Sequence, residues 1–171
     1  MNTQQTVKSQ LGLWQGALGA MMEECDEAAL HKTLPQATVS SIASIYAHAI
    51  FSEDFITQGM LKGQPPIYKT DGWEAKTGVA MAQTPEMNPE WAATVKMDLP
   101  TFREYAKAVH SATNAYLDSV AEGDLQAKVR TPAGEQTKEW IVANLLGTHL
   151  PQHAGEIAAL KGVLGLKGLP F

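Results

Sequence analysis

Two histidines stand four residues apart in His149-Leu150-Pro151-Gln152-His153, and a third, His48, lies far earlier in the chain. In a helix, residues four apart share a face one turn apart, about 6 Å along the axis. Two imidazoles so placed can reach one metal ion. His48 falls on an apolar helical stripe, where an unpartnered imidazole is costly. Three neutral imidazoles converging in a bundle core leave one coordination position open, and sites of that kind serve chemistry more than structure. The alternative is three unrelated histidines, each hydrogen-bonded to a backbone carbonyl. Adjacent core imidazoles repel if both protonate, so the one-turn pair needs partners in either case.

Other candidates are weaker. Glu156 follows His153 by three residues and so lies near the same face. It can orient a ligand imidazole from behind, act as general base on a bound water, or form an ordinary helix-surface ion pair; the general base is the least favoured of these. His110 sits beside an apolar stripe and reads as a packed or hydrogen-bonded histidine. His31, near a helix end, reads as a partner for terminal carbonyls. Cys25 is the only cysteine and reads as a small core residue. Tyr46 and Tyr116 read as packing residues. The methionines are scattered and form no ligand pattern.

The elements that must hold these residues are helices. Val7, Leu11, Trp14, Leu18, Met21, Cys25 and Ala28 step by threes and fours, which predicts one amphipathic helix over 5–32. Leu34-Pro35 ends it. A second helix is predicted over 37–61, with Ile42, Ile45, His48, Ser52 and Phe55 on its stripe. Thr38, Ser40 and Ser41 are its candidate caps, and Gly63 stops it. A third runs over 100–120, with Pro100 at its first position and Phe102, Ala106, Val109, Thr113, Tyr116 and Val120 inward. A fourth covers 137–163, burying Val142, Leu145, His149, His153, Ile157 and Leu160.

Residues 63–97 lack helical periodicity and hold Pro65, Pro66, Pro85 and Pro89. Loops of this length in compact domains are usually functional or disordered. Trp73 and Trp91 favour order, because surfaces that large are worth burying. The segment reads as an ordered crossover packed on the bundle. Leu125, Ala127 and Val129 alternate with polar residues over a stretch too short for a sheet, and Thr131-Pro132-Ala133-Gly134 reads as a loop. Pro151 interrupts the fourth helix, since it cannot donate to the Gly147 carbonyl and crowds it. Either the helix kinks at Gly147, or it restarts with Thr148 as cap. Both keep His149 and His153 in one segment.

Four helices and no credible sheet make the fold class all-α, a four-helix bundle in a single domain over 1–171. The long crossover lets the second and third helices run in the same direction, although the spacing does not require it. The 171 residues, 44% hydrophobic and 18% charged, suffice for a full core. A net charge of −5 argues against nucleic acid as a partner. No apolar run is long enough to span a bilayer. Met-Asn-Thr-Gln-Gln at the start lacks the apolar core of a secretory signal, and one cysteine suits a reducing compartment, so a cytoplasmic location is expected.

The stretch His149-Leu150-Pro151-Gln152-His153-Ala154-Gly155-Glu156-Ile157, with Leu160 and the Gly-Leu-Lys-Gly-Leu-Pro tail, resembles the end of a DinB-like domain. Ser44-Ile45-Tyr46-Ala47-His48-Ala49-Ile50-Phe51 resembles the second helix of the same family. Helix lengths and the long crossover extend the likeness over most of the chain, although only the two histidine stretches are specific. The resemblance implies an up-down-down-up bundle that binds a divalent metal, commonly zinc or nickel, through His48, His149 and His153. It also implies that relatives include metal-dependent transferases and isomerases that use a low-molecular-weight thiol such as mycothiol or bacillithiol.

Two function classes follow. One is a metal-dependent enzyme, either a hydrolase or a thiol-dependent transferase or isomerase, with a small-molecule substrate or thiol as partner. The other is a non-catalytic, stress-related protein that binds a metal or small ligand. A homodimer is a further expectation. An enzyme requires a coordination position open to its substrate, whereas a binding module can close the metal with protein ligands.

Overall fold

The computed structural model describes residues 2–35, 37–82, 87–131 and 134–171. Pro85, Pro132 and Ala133, named above, lie outside the described residues. The first long helix, α1 (Thr3–Glu23), starts where the Asn2 side chain accepts from the Gln5 amide at 3.1 Å. It buries Val7, Leu11, Leu18 and Met21 as the periodicity predicts. It does not continue to residue 32. The chain breaks at Glu24 and Cys25 and restarts as α2 (Glu27–Leu30), because Asp26 caps a new helix by accepting from the Ala29 amide at 2.7 Å. The broken end of α1 is not left bare: the fully buried Lys161 ammonium donates to the Met21 carbonyl at 2.7 Å and pairs with Glu24 at 3.1 Å. A cation at a helix C-terminus meets both the free carbonyl and the negative end of the dipole.

The second long helix, α3 (Ile42–Asp54), begins five residues later than predicted. Of the three candidate caps, Ser41 is the one used, accepting from the Ser44 amide. The helix then widens into a π segment, Phe55–Leu61, before Gly63 turns the chain at φ 66°. The crossover contains three short helices, α4 (Ile67–Thr70), α5 (Trp73–Thr77) and α6 (Pro89–Thr94), where none was predicted. Helices of four to six residues are too short to show a period. Burial anchors them. Tyr68 is wholly buried against Phe51 and Tyr105, at ring separations of 4.7 and 4.8 Å. The buried Asp54 carboxylate accepts from the Ile67 and Tyr68 amides and from the Tyr105 hydroxyl. The two tryptophans are half-buried against the same core.

The third long helix, α7 (Leu99–Ser119), is capped by Asp98, with Pro100 in its first turn. Residues after it form the correction to a sheet-free reading: β1 (Lys128–Thr131) pairs antiparallel with β2 (Gly134–Thr137), Arg130 opposite Glu135. The hairpin is mostly exposed and takes no part in the main core, so its sequence carries no strong apolar alternation. The last helical run starts from the Thr137 cap as α8 (Lys138–Ile141). It passes through a π segment, Val142–Leu146, and continues as α9 (Gly147–Val163).

The fold is mostly helical. The long helices pack as a ring in which α1 contacts α9 and α7, and α3 contacts the same two. Thr3 bonds Glu139 near the start of both outer helices, and Lys161 bonds Met21 near their ends. Asp54 at the end of α3 and Thr57 in the π segment after it meet Tyr105 and Thr113 of α7 in the same order. Ile45, Ile50, Phe102, Val109, Leu150 and Ile157 fill the main core between them. Among the described residues, no helix is long and apolar enough to cross a membrane.

Candidate metal centre

Two facing helices, α3 and α9, carry the site. Pro151 sits inside α9 without ending it. The π segment just before it is what accommodates the fault: the Gly147 amide bonds the Val142 carbonyl, five residues back. Gly147 also lets α1 come close. A Cβ there would lie 3.3 Å from the Val142 carbonyl oxygen and 3.4 Å from Val7 Cγ1. Thr148 is not a cap, since its hydroxyl donates to the Asn144 carbonyl within the helix at 2.6 Å. His149 and His153 therefore stay one turn apart on the face that meets α3.

The three predicted histidines come together. Ring centroids are 5.1 Å apart for His48 and His149, 4.8 Å for His48 and His153, and 4.4 Å for His149 and His153. Each offers a ring nitrogen, and these nitrogens lie within 4.8 Å of one another. His48 and His153 are buried, and His149 is half-buried.

Their hydrogen bonding is incomplete in an informative way. His153 Nδ1 lies 2.7 Å from Glu156 Oε2, one turn along the same helix. A carboxylate accepts only, so Nδ1 is the donor, and in the neutral ring it is Nε2 that carries the lone pair. The Nε2 atoms of His153 and His149 are both buried without a partner among the described residues. Buried polar atoms of this kind call for an explanation, and an absent ion is one. Burial also keeps His48 and His149 neutral. Desolvation, with His153 close by, lowers the His48 pKa to about 4. Desolvation, with His153 and His48 beside it, lowers that of His149 to about 3.

This donor set fits a divalent cation. Neutral imidazoles coordinate through the lone pair that these rings leave free. Four-coordinate zinc with nitrogen bonds of about 2.0–2.1 Å sets its ligand nitrogens roughly 3.4 Å apart. Glu156 is already engaged with His153 and stands behind the ligand set.

The remaining candidates lie elsewhere. His110 is hydrogen-bonded, its Nδ1 3.0 Å from Glu53 Oε2, and does not join the three. His31 Nδ1 lies 3.1 Å from the Glu27 carbonyl, as its position near a helix end suggests. Its Nε2 also accepts from the Met97 amide, which ties the end of the crossover to α2. Cys25 is buried, and burial raises its pKa. The polar group that sequence reading missed is Glu53, whose buried carboxylate holds His110 and accepts from Gln15 at 2.9 Å. Its only signal was a Glu-Asp pair between Phe51 and Phe55 near the end of a largely apolar helix.

Comparison with known proteins places this geometry in context. Residues 12–157 match the DinB superfamily. No curated protein matches the chain. Among solved structures, a conserved protein from Enterococcus faecalis is similar at 19% identity with a TM-score of 0.81. The alignment covers 96% of this chain and 99% of that one. At that identity the likeness concerns the fold alone.

Proposed function

The chain belongs to the DinB superfamily, and from that premise we propose that it is a metal-dependent enzyme acting on a small molecule or thiol. His48, His149 and His153 hold one divalent cation, zinc or nickel, and leave a coordination position for the ligand that reacts. The helix pairings described above are read as the up-down-down-up bundle. The observation that carries the proposal is the convergence of three imidazoles with two buried Nε2 atoms unpartnered.

When bound, such a cation supplies Lewis acidity and favours the deprotonated form of a thiol or water beside it. The chain's own residues do the rest. Glu156 fixes the His153 tautomer and turns its ring toward the other two. Burial keeps His48 and His149 neutral and ready to coordinate across the neutral pH range. No cysteine stands near to close the ligand set, since Cys25 lies at the break between α1 and α2. The reaction is hydrolysis, or transfer or isomerisation with a low-molecular-weight thiol.

The test is elemental analysis of protein purified without a histidine tag, followed by cobalt substitution and titration with small thiols and anions. One equivalent of metal, with a cobalt spectrum that changes on adding thiol, supports an enzyme with an open position. A spectrum indifferent to every added ligand supports the non-catalytic metal-binding alternative. Absence of metal after reconstitution defeats both.

A further inference from the structure

The histidine cluster continues into an exposed seam. His48, Ser52, Phe55 and Gly59 run along one face, while Glu53, Asp54, Ile56 and Thr57 between them are buried. Helical spacing predicts Phe55 inward beside His48, yet the residue is 43% exposed. The reason is that this face borders α9 rather than the main core. His48 meets His149, and the π segment after His48 touches the π segment before His149. The two histidine-bearing helices therefore run antiparallel, and both widen on the same side of the cluster. Interruptions of this kind are frequent at functional sites.

Phe55 stands two turns past His48 on the same face, roughly 10 Å along the axis. Its ring lies against Gly59, where a Cβ would come within 3.1 Å of Cδ2 and Cε2. Among the described residues it joins neither apolar core. Leu145, one turn before His149, is half-buried at the edge of the smaller core. Charge is as one-sided as shape. Residues 42–61 and 141–160 contain no lysine or arginine. Of their carboxylates, Glu53 and Asp54 are buried in bonds to other elements, and Glu156 is engaged with His153. An anionic arm leaving the histidines along either helix finds no counter-charge there, whereas an apolar arm finds an exposed ring.

We propose that Phe55 determines the specificity of this site. The substrate is uncharged away from its coordinating atom, and carries an aromatic or bulky aliphatic group that packs on the Phe55 ring. The assignment rests on the metal-dependent reading above. The histidines take the reacting end, and Phe55 selects the length and apolarity of the rest.

Titration of the cobalt-substituted full chain with three thiols tests the assignment, with the cobalt absorption spectrum as the readout. The thiols are mercaptoethanol, mercaptopentanoate and a phenylbutanethiol with thiol and phenyl at opposite ends. The phenyl thiol is expected to bind about tenfold more tightly than mercaptoethanol, and mercaptopentanoate no more tightly than mercaptoethanol. Phe55→Ala should keep one equivalent of cobalt and lose most of the phenyl advantage. Phe55→Lys should reverse the order and favour the carboxylate. Phe55 is exposed and outside both cores, so neither substitution threatens the fold. A spectrum that responds to mercaptoethanol without any phenyl advantage would overturn this assignment and leave the metal-dependent reading standing. So would a phenyl advantage retained in full by Phe55→Ala. A spectrum indifferent to all three thiols would overturn both.

Discussion

Glu156 holds His153 by a 2.7 Å contact between Oε2 and Nδ1, one turn apart on α9. That contact decides which nitrogen of His153 is free. It also explains why a carboxylate so close to the three imidazoles is not itself among the converging donors. A Glu156→Gln variant keeps the shape but no longer enforces the tautomer. Its metal affinity is expected to fall by about 10–100-fold, read by competition with a chromophoric chelator. An unchanged affinity would show that the contact is only a surface ion pair.

The histidines are expected to separate into two classes. His153→Ala removes a converging nitrogen and should abolish stoichiometric metal binding. His110→Ala removes a ring held by Glu53 on another seam and should leave metal content unchanged. Elemental analysis of both variants decides the matter, and equal loss in the two would mean the ligand set is wrong.

Burial makes the metal-free protein sensitive to acid. The folded pKa values of His48 and His149, about 4 and about 3, lie below the ordinary 6.5. Between those limits the unfolded chain binds more protons than the folded one, so stability rises with pH across that window. Their contribution is fully present above about 6.5 and is lost as pH falls toward 4 and then 3. The loss should be on the order of a few kcal/mol. Urea midpoints at pH 7, 5.5 and 4.5 should fall progressively with chelator present. A His48→Asn/His149→Asn double variant should show a shallower decline. The same neutrality moves proton competition for the metal at these two rings below the ordinary histidine range.

Lys161 is wholly buried, whereas its partner Glu24 has a side chain 48% exposed. The hydrogen bond to the Met21 carbonyl is therefore the stronger part of the interaction. Lys161→Met keeps the length but leaves that carbonyl unsatisfied, and should cost about 1–3 kcal/mol in urea unfolding. Glu24→Gln should cost less than about 1 kcal/mol, as exposed ion pairs do. A larger effect from Glu24 would reverse the assignment.

The sequence by itself determined the periodic faces and the residues that converge. Helical spacing put His149 and His153 on one face, and the stripe of α3 put His48 inward, because a period of 3.6 is a local property of the chain. Caps were legible only as candidates: Ser41 is used, while Thr38, Ser40 and Thr148 are not, because a cap is chosen by where the rest of the helix can pack. Tertiary structure decided what local pattern cannot encode. Asp26 breaks the first helix, and the buried Lys161, 137 residues from Glu24, satisfies the end that the break exposes. Asp54 and Tyr68 order a crossover whose helices are too short to announce themselves. Glu53 becomes a buried carboxylate only because Gln15 of α1 and His110 of α7 close over it. Each depends on groups distant in sequence, and the cost of burying a polar atom is settled only when its partner arrives.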